Sequence, residues 1–324
     1  MIVFVYILAF LKNAIYGVSV FFTGKLVAST DVLDVLALRF LMSWSVFEIL
    51  KQTKILKINI GIKDYCGKTE RSKYFKQLLF SALFEPILYM LFETIGISMT
   101  TGVMTGVLLS LMPISCVICE SILLKEKTSL LEKFFLLIGI VGVIYITANS
   151  SGRDGENSVL GIVFILLAIV SGALYMVFSR KSSTNFNSIE ITYFASFLGM
   201  IVFNGINIIR HLICGDILRY FSPYLSIENM IGFVFLSVVS TILATGMNNF
   251  ALGRIKTSTM SAFGGISTLV TIAAGVFLNG EKLYTYHYIG ITLIIVRMVG
   301  VCYLAWHKIQ TNNKTSKIAI PPKD

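Results

Sequence analysis

Charged residues are scarce in this sequence. Asp, Glu, Lys and Arg make up only 14% of the 324 residues, whereas a soluble domain carries about 25%. Hydrophobic residues reach 56%, and the mean hydropathy is +0.81. This composition excludes an ordinary soluble protein and indicates a chain that lies in a lipid bilayer. The net charge is +10, but the basic residues lie almost entirely in polar connecting segments. They therefore indicate membrane topology and contact with anionic membrane lipids rather than nucleic-acid binding.

Cysteine and histidine are also few. The 5 cysteines have no paired spacing, which argues against a disulfide scaffold. His211, His287 and His307 are isolated, so we expect no metal site and no cofactor. A GxxxxGK[ST] phosphate loop is absent, which argues against ATP hydrolysis by this chain. The N-terminus lacks the basic start and cleavage site of a signal peptide, so its first apolar segment is expected to remain as a helix.

Long apolar runs, in contrast, recur along the whole chain. A helix that crosses the hydrocarbon core needs roughly 20 apolar residues, and ten runs of this kind are present. The second is the most polar, because Asp34, Arg39 and Glu48 interrupt it. We therefore predict an all-α, polytopic membrane protein. Its transmembrane helices are expected at residues 3–24, 33–50, 77–96, 102–124, 131–148, 159–178, 190–209, 230–251, 257–278 and 285–306.

The predicted helices divide into two related halves. A polar linker at 149–158 separates residues 1–148 from residues 159–308, and a polar tail follows at 309–324. Because each half has five helices, the second must enter the membrane from the opposite side, which predicts two inverted five-helix repeats around a central cavity, as in many transporters. Residues match between the halves: Phe92, Ile97 and Thr101 with Phe250, Ile255 and Thr259, and Leu123, Glu126 and Lys127 with Leu278, Glu281 and Lys282.

The distribution of basic residues predicts the orientation. With the N-terminus in the cytoplasm, most of the 27 lysines and arginines fall in cytoplasmic segments, above all in the long loop at 51–76. Few fall in the external segments. This excess predicts that both termini and the tail are cytoplasmic and that the linker is external. The membrane is expected to be the plasma (inner) membrane.

Several short motifs resemble a known family. They are ALRFL at Ala37–Leu41, FEPILYMLFETIGISMTT at Phe84–Thr101, a proline-bearing helix that ends in a Lys-Glu pair at Leu108–Lys127, and its counterpart LNGEKL at Leu278–Leu283. In this order and spacing they resemble the drug/metabolite transporter superfamily in its EamA-type branch. The resemblance covers roughly residues 5–305.

This resemblance implies a fold of ten helices in which helices 1–4 and 6–9 surround the cavity and helices 5 and 10 are peripheral. It also implies efflux of small organic metabolites, amino acids or drug-like compounds. The sequence departs from the family pattern at two positions. The second half lacks a proline that matches Pro113, and Arg297 stands where the family usually has a small residue. Both departures concern local geometry rather than the fold.

Charged side chains at membrane depth cost about 2.5–3.5 kcal/mol each on insertion scales, so each needs a partner or a function. Glu85, Tyr89 and Glu93 are spaced so that they share one face of predicted helix 3. Pro86 is expected to kink this helix. We hypothesise that Glu85 contributes to a substrate or proton site; the alternative is an internal bond to a neighbouring helix. For Glu93, near the external end, the alternative is simple hydration.

Other polar and aromatic residues are further candidates. Arg39 could bind an anionic substrate group or fix helix packing. Asn248 and Asn249 could bind a ligand or join helices by hydrogen bonds. Arg297 is expected to form a structural pair. The other cavity candidates, for which packing is the alternative, are Asn13, Tyr16, Trp44, Tyr175 and Tyr193.

Some residues are expected to have structural roles. Lys12 and Glu120 are expected to extend to the membrane surface. Small residues and prolines are expected to allow close packing or to act as hinges for alternating access. These are Pro86, Pro113, Gly102, Gly106, Gly264 and Gly265.

Three functional hypotheses follow. The first is a secondary transporter (a permease) for a small-molecule solute, driven by a proton gradient or by the gradient of the solute. The second is a membrane-embedded enzyme that uses Glu85, Glu93 or Glu120, although the sequence offers no clustered catalytic set. The third is a membrane sensor or assembly factor, which the absence of a soluble domain disfavours.

Overall fold

The structure, a computed structural model, describes residues 2–58, 73–125, 129–150 and 158–318. Most of the predicted linker, part of the loop at 51–76, the Glu126–Lys127 pair and the end of the tail lie outside these residues. The uninterrupted helices are α1 (Ile2–Ser29), α2 (Val32–Gln52), α5 (Leu130–Ser150), α6 (Val159–Ser182), α7 (Ser188–Cys214) and α10 (Thr285–Ile318). Four helices are built from successive pieces. They are α3 (Phe75–Ala82, Leu83–Leu88 and Tyr89–Ser98), α4 (Gly102–Leu109 and Met112–Leu123), α8 (Ile227–Val234, Phe235–Ala244 and Thr245–Leu252) and α9 (Thr257–Ala262 and Gly264–Asn279).

The described residues confirm the prediction of an all-helical fold, since every regular element among them is a helix. Eight segments are long and apolar enough to cross a membrane. The two helices outside this group are α2, which is rich in charged residues, and α10, whose apolar part is the shorter stretch Thr285–Val301. The protein is therefore an integral membrane protein. Helix α10 continues to Ile318, so the first part of the predicted tail is helical.

The acidic residues Asp34 and Glu48 of helix α2 have hydrogen-bond partners on α7. Asp34 accepts hydrogen bonds from Arg210 and His211 of α7, both at 2.8 Å. Glu48 accepts one from the hydroxyl of Tyr193 of α7 at 3.1 Å. Pairing of this kind offsets the cost of burying a charge, and it explains why a polar helix packs along α7.

The order of packing places the long helices around a common centre. Helix α1 packs against α8 and α9, and α6 packs against α3 and α4. Helix α2 packs against α7, and α4 packs against α9. Helices α5 and α10 pack mainly against each other. The helices other than α5 and α10 are therefore the ones available to line a space in the middle.

Two proline sites interrupt helices. In α3, Glu85 has an extended backbone (φ −141°, ψ 119°), as expected for a residue that precedes proline, and the Glu85–Pro86 peptide bond is cis. In α4, the break lies just before Pro113. There the N–H of Ile114 donates to the carbonyl of Leu111 at 3.0 Å, so the carbonyl of Ser110 loses its usual helical donor.

Arg297 provides a donor for that carbonyl. Its side chain is 1% exposed, and its Nη1 donates to the carbonyl oxygen of Ser110. Gly139 of α5 leaves room for the long Arg297 side chain to pass. The arginine therefore connects the peripheral pair α5 and α10 to the break in α4, which is a structural role.

Close helix packing accounts for two of the four candidate glycines. Gly106 lies against Thr271 of α9, and Gly265 lies against Met298 of α10. Gly102 begins α4, and its N–H donates to Glu281. A Cβ atom on Gly264 would have no neighbour within 4 Å, so close packing does not explain this glycine. Whether any of these positions acts as a hinge remains a prediction.

Arg297→Ala is expected to lower the free energy of unfolding by about 2 kcal/mol, because the carbonyl of Ser110 would be buried without a donor. The measurement is the thermal unfolding midpoint of the purified protein in detergent. Arg254→Ala is the control, since Arg254 is exposed and donates to the carbonyl of Phe250 within its own helix end. Equal midpoints for the two variants would contradict the assigned role.

Candidate functional site

A cavity lies at the centre of the helices. Its empty volume is about 770 Å³, with the open solvent at its mouth included. Side chains from α1, α2, α3, α4, α6, α8 and α9 line it. The candidates from the sequence that line it are Asn13, Tyr16, Arg39, Glu85, Tyr89, Glu93, Tyr175, Asn248 and Gly264.

Glu85 lies on the cavity wall at the break of α3. Its side chain is buried, with the residue only 8% exposed. In the part of the chain that the structure describes, its carboxylate has no hydrogen bond and no ion pair. The alternative of an internal bond to a neighbouring helix therefore has no support from these residues. A carboxylate placed in this way is available to a solute or a proton.

Tyr89 and Glu93 form a unit one turn further along α3. The hydroxyl of Tyr89 donates to Glu93 Oε1 at 2.6 Å, as their spacing of four residues allows. Glu93 is partly buried and lines the cavity. Its second oxygen remains as an acceptor. The hydroxyl of Tyr89 therefore holds the Glu93 carboxylate in place at the cavity.

Arg39 is held by hydroxyl groups of α8. Its Nε donates to Thr241 Oγ1 at 3.0 Å, and its Nη2 donates to Ser240 Oγ at 3.3 Å. No carboxylate forms an ion pair with Arg39 among the described residues. Neutral groups thus orient the guanidinium, and its positive charge remains available to a group in the cavity. Both roles considered from the sequence, packing and anion binding, are compatible with this geometry.

Lys12 corrects an expectation. The sequence predicted that Lys12 lies close enough to the cytoplasmic surface for its side chain to reach it. In the structure Lys12 is only 5% exposed and lines the cavity. Its ammonium lies 5.0 Å from the centre of the Tyr16 ring. The spacing of four residues between Lys12 and Tyr16 is the signal that could have placed both on the cavity face.

Glu120 corrects a second expectation of the same kind. It was predicted to reach the surface, but it is 3% exposed. Arg180 of α6 donates to its Oε1 at 3.1 Å. The pair joins the ends of α4 and α6 and lies away from the cavity. Glu120 therefore has a structural contact that the sequence alone did not reveal.

Comparison with known proteins identifies the family. The profile of the EamA-like transporter family matches residues 3–148 and again residues 159–303. An uncharacterized transporter of Bacillus subtilis (strain 168), YcxC, is 30% identical over 319 residues, which is 98% of this chain and 97% of that protein. This chain belongs to the EamA-like transporter family.

Two further matches are more distant. An uncharacterized transporter of Archaeoglobus fulgidus is 25% identical over 218 residues, covering 67% of this chain and 74% of that protein. A solved crystal structure of another protein superposes with a TM-score of 0.63 at 14% identity, over 94% of this chain and 97% of that one. At this identity the structural match shows a shared fold and nothing about the solute.

In this EamA-family protein the two adjacent asparagines of α8 differ in their surroundings. Asn249 accepts hydrogen bonds from Tyr175 at 2.6 Å and Ser179 at 2.7 Å, and its amide donates to Thr192 at 2.9 Å. Asn248 lines the cavity, and its Oδ1 is buried without a hydrogen-bond partner. Asn248 is thus the candidate for solute contact, and Asn249 joins three helices.

Two further candidates lie elsewhere than expected. Trp44 is not among the residues that line the cavity; its ring is 6.4 Å from that of Phe197 of α7. Tyr193 contacts Glu48 and Lys51 near the end of α2. Several other residues of the cavity wall could not be predicted, because small or apolar side chains carry little signal in a sequence. They are Ser19, Met90, Leu109, Met112, Gly172, Met176, Ser240, Ser261 and Ser267.

Asn249→Ala is expected to destabilise this EamA-family protein by about 2–3 kcal/mol, because it leaves buried hydroxyl groups without partners. Asn248→Ala, one residue away, is expected to cost less than about 1 kcal/mol, since its buried oxygen has no bond to lose. Thermal unfolding in detergent measures both. A larger loss for Asn248→Ala would show that the two roles have been assigned the wrong way round.

Proposed function

We propose that this EamA-family chain is a secondary transporter that exports a small organic solute by alternating access through the central cavity. The observation that carries the proposal is the cavity itself. It joins helices from both halves of the chain and carries ionisable groups of both signs, Lys12 and Arg39 with Glu85 and Glu93. In a protein surrounded by lipid, such groups mark the pathway of a polar solute.

The lining of the cavity favours particular solutes. Lys12, Arg39, Glu85 and Glu93 place charges of both signs on its wall. Groups of both signs favour a solute with both anionic and cationic groups, such as an amino acid, over a purely apolar drug-like compound.

Two lines of evidence support ten transmembrane helices in two inverted repeats. The family profile matches each half separately. The contacts between helices also repeat from one half to the other. The contact of α1 with α9 corresponds to that of α6 with α4, and the contact of α3 with α6 corresponds to that of α8 with α1. The repeats proposed are residues 1–148 and 159–308, with the linker and tail as predicted from the sequence.

The contact of Glu281 supports the inverted relationship. The N–H groups of Gly102 and Val103, at the start of α4, donate to its carboxylate. The segment Gly102–Leu123 has 22 residues, about 33 Å of helix. The turn after α9 and the end of α4 therefore lie at opposite ends of the bundle, as they must if the two copies are inverted.

Glu85 is the proposed site of proton exchange. A carboxylate without an internal partner can bind a proton from one side and a cationic solute group from the other, which couples the two movements. Its position beside the break of α3 places it where the helix geometry is able to change. The orientation that we propose has both termini in the cytoplasm of the plasma membrane, in accord with the basic residues.

The direct test is transport by the purified protein. Proteoliposomes that contain the protein are loaded with metabolite mixtures, and mass spectrometry identifies the solutes that cross. These solutes are then compared with the metabolites that differ inside and outside cells with and without the gene. Movement of an unchanged solute supports transport. Formation of a product would instead favour the alternative of a membrane-embedded enzyme.

Glu85→Gln is expected to reduce transport at least about tenfold with little loss of folded yield, because it removes a charge that has no internal partner. Glu120→Gln is the matched control. It changes a carboxylate that is ion-paired with Arg180 outside the cavity, so its yield should fall more than its transport. Equal losses of yield and transport in Glu85→Gln would make Glu85 structural.

Accessibility labelling tests the repeats. Single cysteines placed at Lys125 and at Lys282, in a background without native cysteines, are expected to react with a membrane-impermeant reagent from opposite faces of the membrane. Placement on the same face would remove the inverted relationship and the cavity mechanism that depends on it.

A further inference from the structure

A second cavity lies at the end of the bundle where α4 begins. We call it the end pocket; the residues that matter here are Gly24, Lys25, Thr101, Gly102, Thr271 and Glu281. Its empty volume is about 880 Å³, open solvent included. Helices α4 and α9 line both this pocket and the central cavity. The end pocket is thus positioned as a vestibule on one side of the membrane.

A tight contact between helices separates the two spaces. On α4, Gly106 lies between Gly102 of the end pocket and Leu109 of the central cavity. A Cβ on Gly106 would lie 3.1 Å from Thr271 of α9, so the two helices touch there. Thr271 also donates to the carbonyl of Gly17 of α1 at 3.2 Å. In this conformation α1, α4 and α9 close the central cavity toward the end pocket.

Glu281 joins the two halves of the chain at the start of α4, one helical turn before Gly106. Its Oε1 accepts from the N–H of Gly102 at 2.9 Å, and its Oε2 accepts from the N–H of Val103 at 2.7 Å. A helix begins with N–H groups that have no partner within the helix, and an anion there is favoured by the helix dipole. The carboxylate comes from the turn after α9, so it ties the second half to the first.

The turn is shaped to hold this carboxylate. Gly280 has a left-handed backbone (φ 69°), which ends α9 and directs the chain back, and the N–H of Glu281 donates to the carbonyl of Gly275 at 3.0 Å. A Cβ on Gly275 would lie 3.0 Å from Glu281 Cδ, and one on Gly102 would lie 2.9 Å from its Oε1. Glycine at both positions leaves the space that the carboxylate occupies.

We propose that Glu281 is the latch of the gate between the central cavity and the end pocket, a role that rests on the proposed alternating-access function. Opening the cavity toward this end requires α4 to move away from α9 at Gly106 and Thr271. That movement breaks both bonds to Glu281. The N–H groups released by it face a water-accessible pocket, so hydration replaces the lost bonds in the open state. Glu281 thereby favours the closed state without preventing the open one.

Cysteine labelling measures access to the central cavity from the end-pocket face. The reporter is Ser19→Cys in a background in which the 5 native cysteines are replaced, because Ser19 lines the central cavity. Glu281→Gln keeps the size of the side chain but places an amide N–H against a backbone N–H. It is expected to raise the rate of labelling from that face by a membrane-impermeant maleimide about tenfold or more.

A second variant tests the same contact from the other side. Gly102→Ala should displace the carboxylate and raise labelling in the same way, while Glu281 stays charged. Gly24→Ala is its matched control. Gly24 also lines the end pocket, but a Cβ there would meet only Ile97 at 3.7 Å, so labelling should not change. Thermal midpoints of all variants show which of them are folded.

The outcomes separate the latch from a simple helix cap. Thr101 caps the same helix within the first half, since its Oγ1 accepts from the N–H of Met104 at 3.2 Å. If Thr101→Ala raises labelling as much as Glu281→Gln does, fraying of α4 explains the effect and the latch is wrong. Unchanged labelling in both Glu281→Gln and Gly102→Ala also overturns it. Labelling is measured without a solute, so its result does not depend on the transport assay. The latch and the transport function can therefore fail separately.

Discussion

Hydrocarbon offers no hydrogen-bond partner to a peptide group, and this constraint decides where the helices of this protein can be interrupted. A break in mid-membrane requires a side chain or a wet cavity for the backbone groups that it frees. The middle piece of α8, Phe235–Ala244, is a π-helix. There the hydroxyl of Thr241 donates to the carbonyl of Leu236 at 2.8 Å. At the break of α4, Arg297 donates to Ser110. The interruptions are thus tied to specific side chains, and they surround the cavity.

The same constraint explains how much of the fold the sequence could predict. Apolar runs of about 20 residues must be helices in a membrane, so the predicted segments agree with the structure to within a few residues at most ends. Glu85, Tyr89 and Glu93 all line the cavity, in accord with their spacing, because a helix places residues four apart on one face. Glu85 itself lies at the break of α3 with an extended backbone, which periodicity alone does not predict.

Depth and partners, in contrast, depend on tertiary contacts. Lys12 and Glu120 were predicted to reach the surface from their positions along single helices. Arg180 pairs with Glu120, and the cavity reaches Lys12, neither of which follows from one helix. Asn248 and Asn249 could not be distinguished in sequence for the same reason. Adjacent residues on a helix point about 100° apart, and only the neighbouring helices decide which one meets the cavity.

The charges on the cavity wall connect the fold to the cycle that we propose. Lys12, Arg39 and Glu85 have no ion-pair partner in the described part of the chain, so an empty and dehydrated cavity would leave these charges without compensation. Water compensates them when the cavity is open, and a solute with charges of both signs compensates them when it is closed. Closure around such a solute is therefore favoured over closure around nothing. This difference is what a transporter needs if the conformational change is to carry its solute with it.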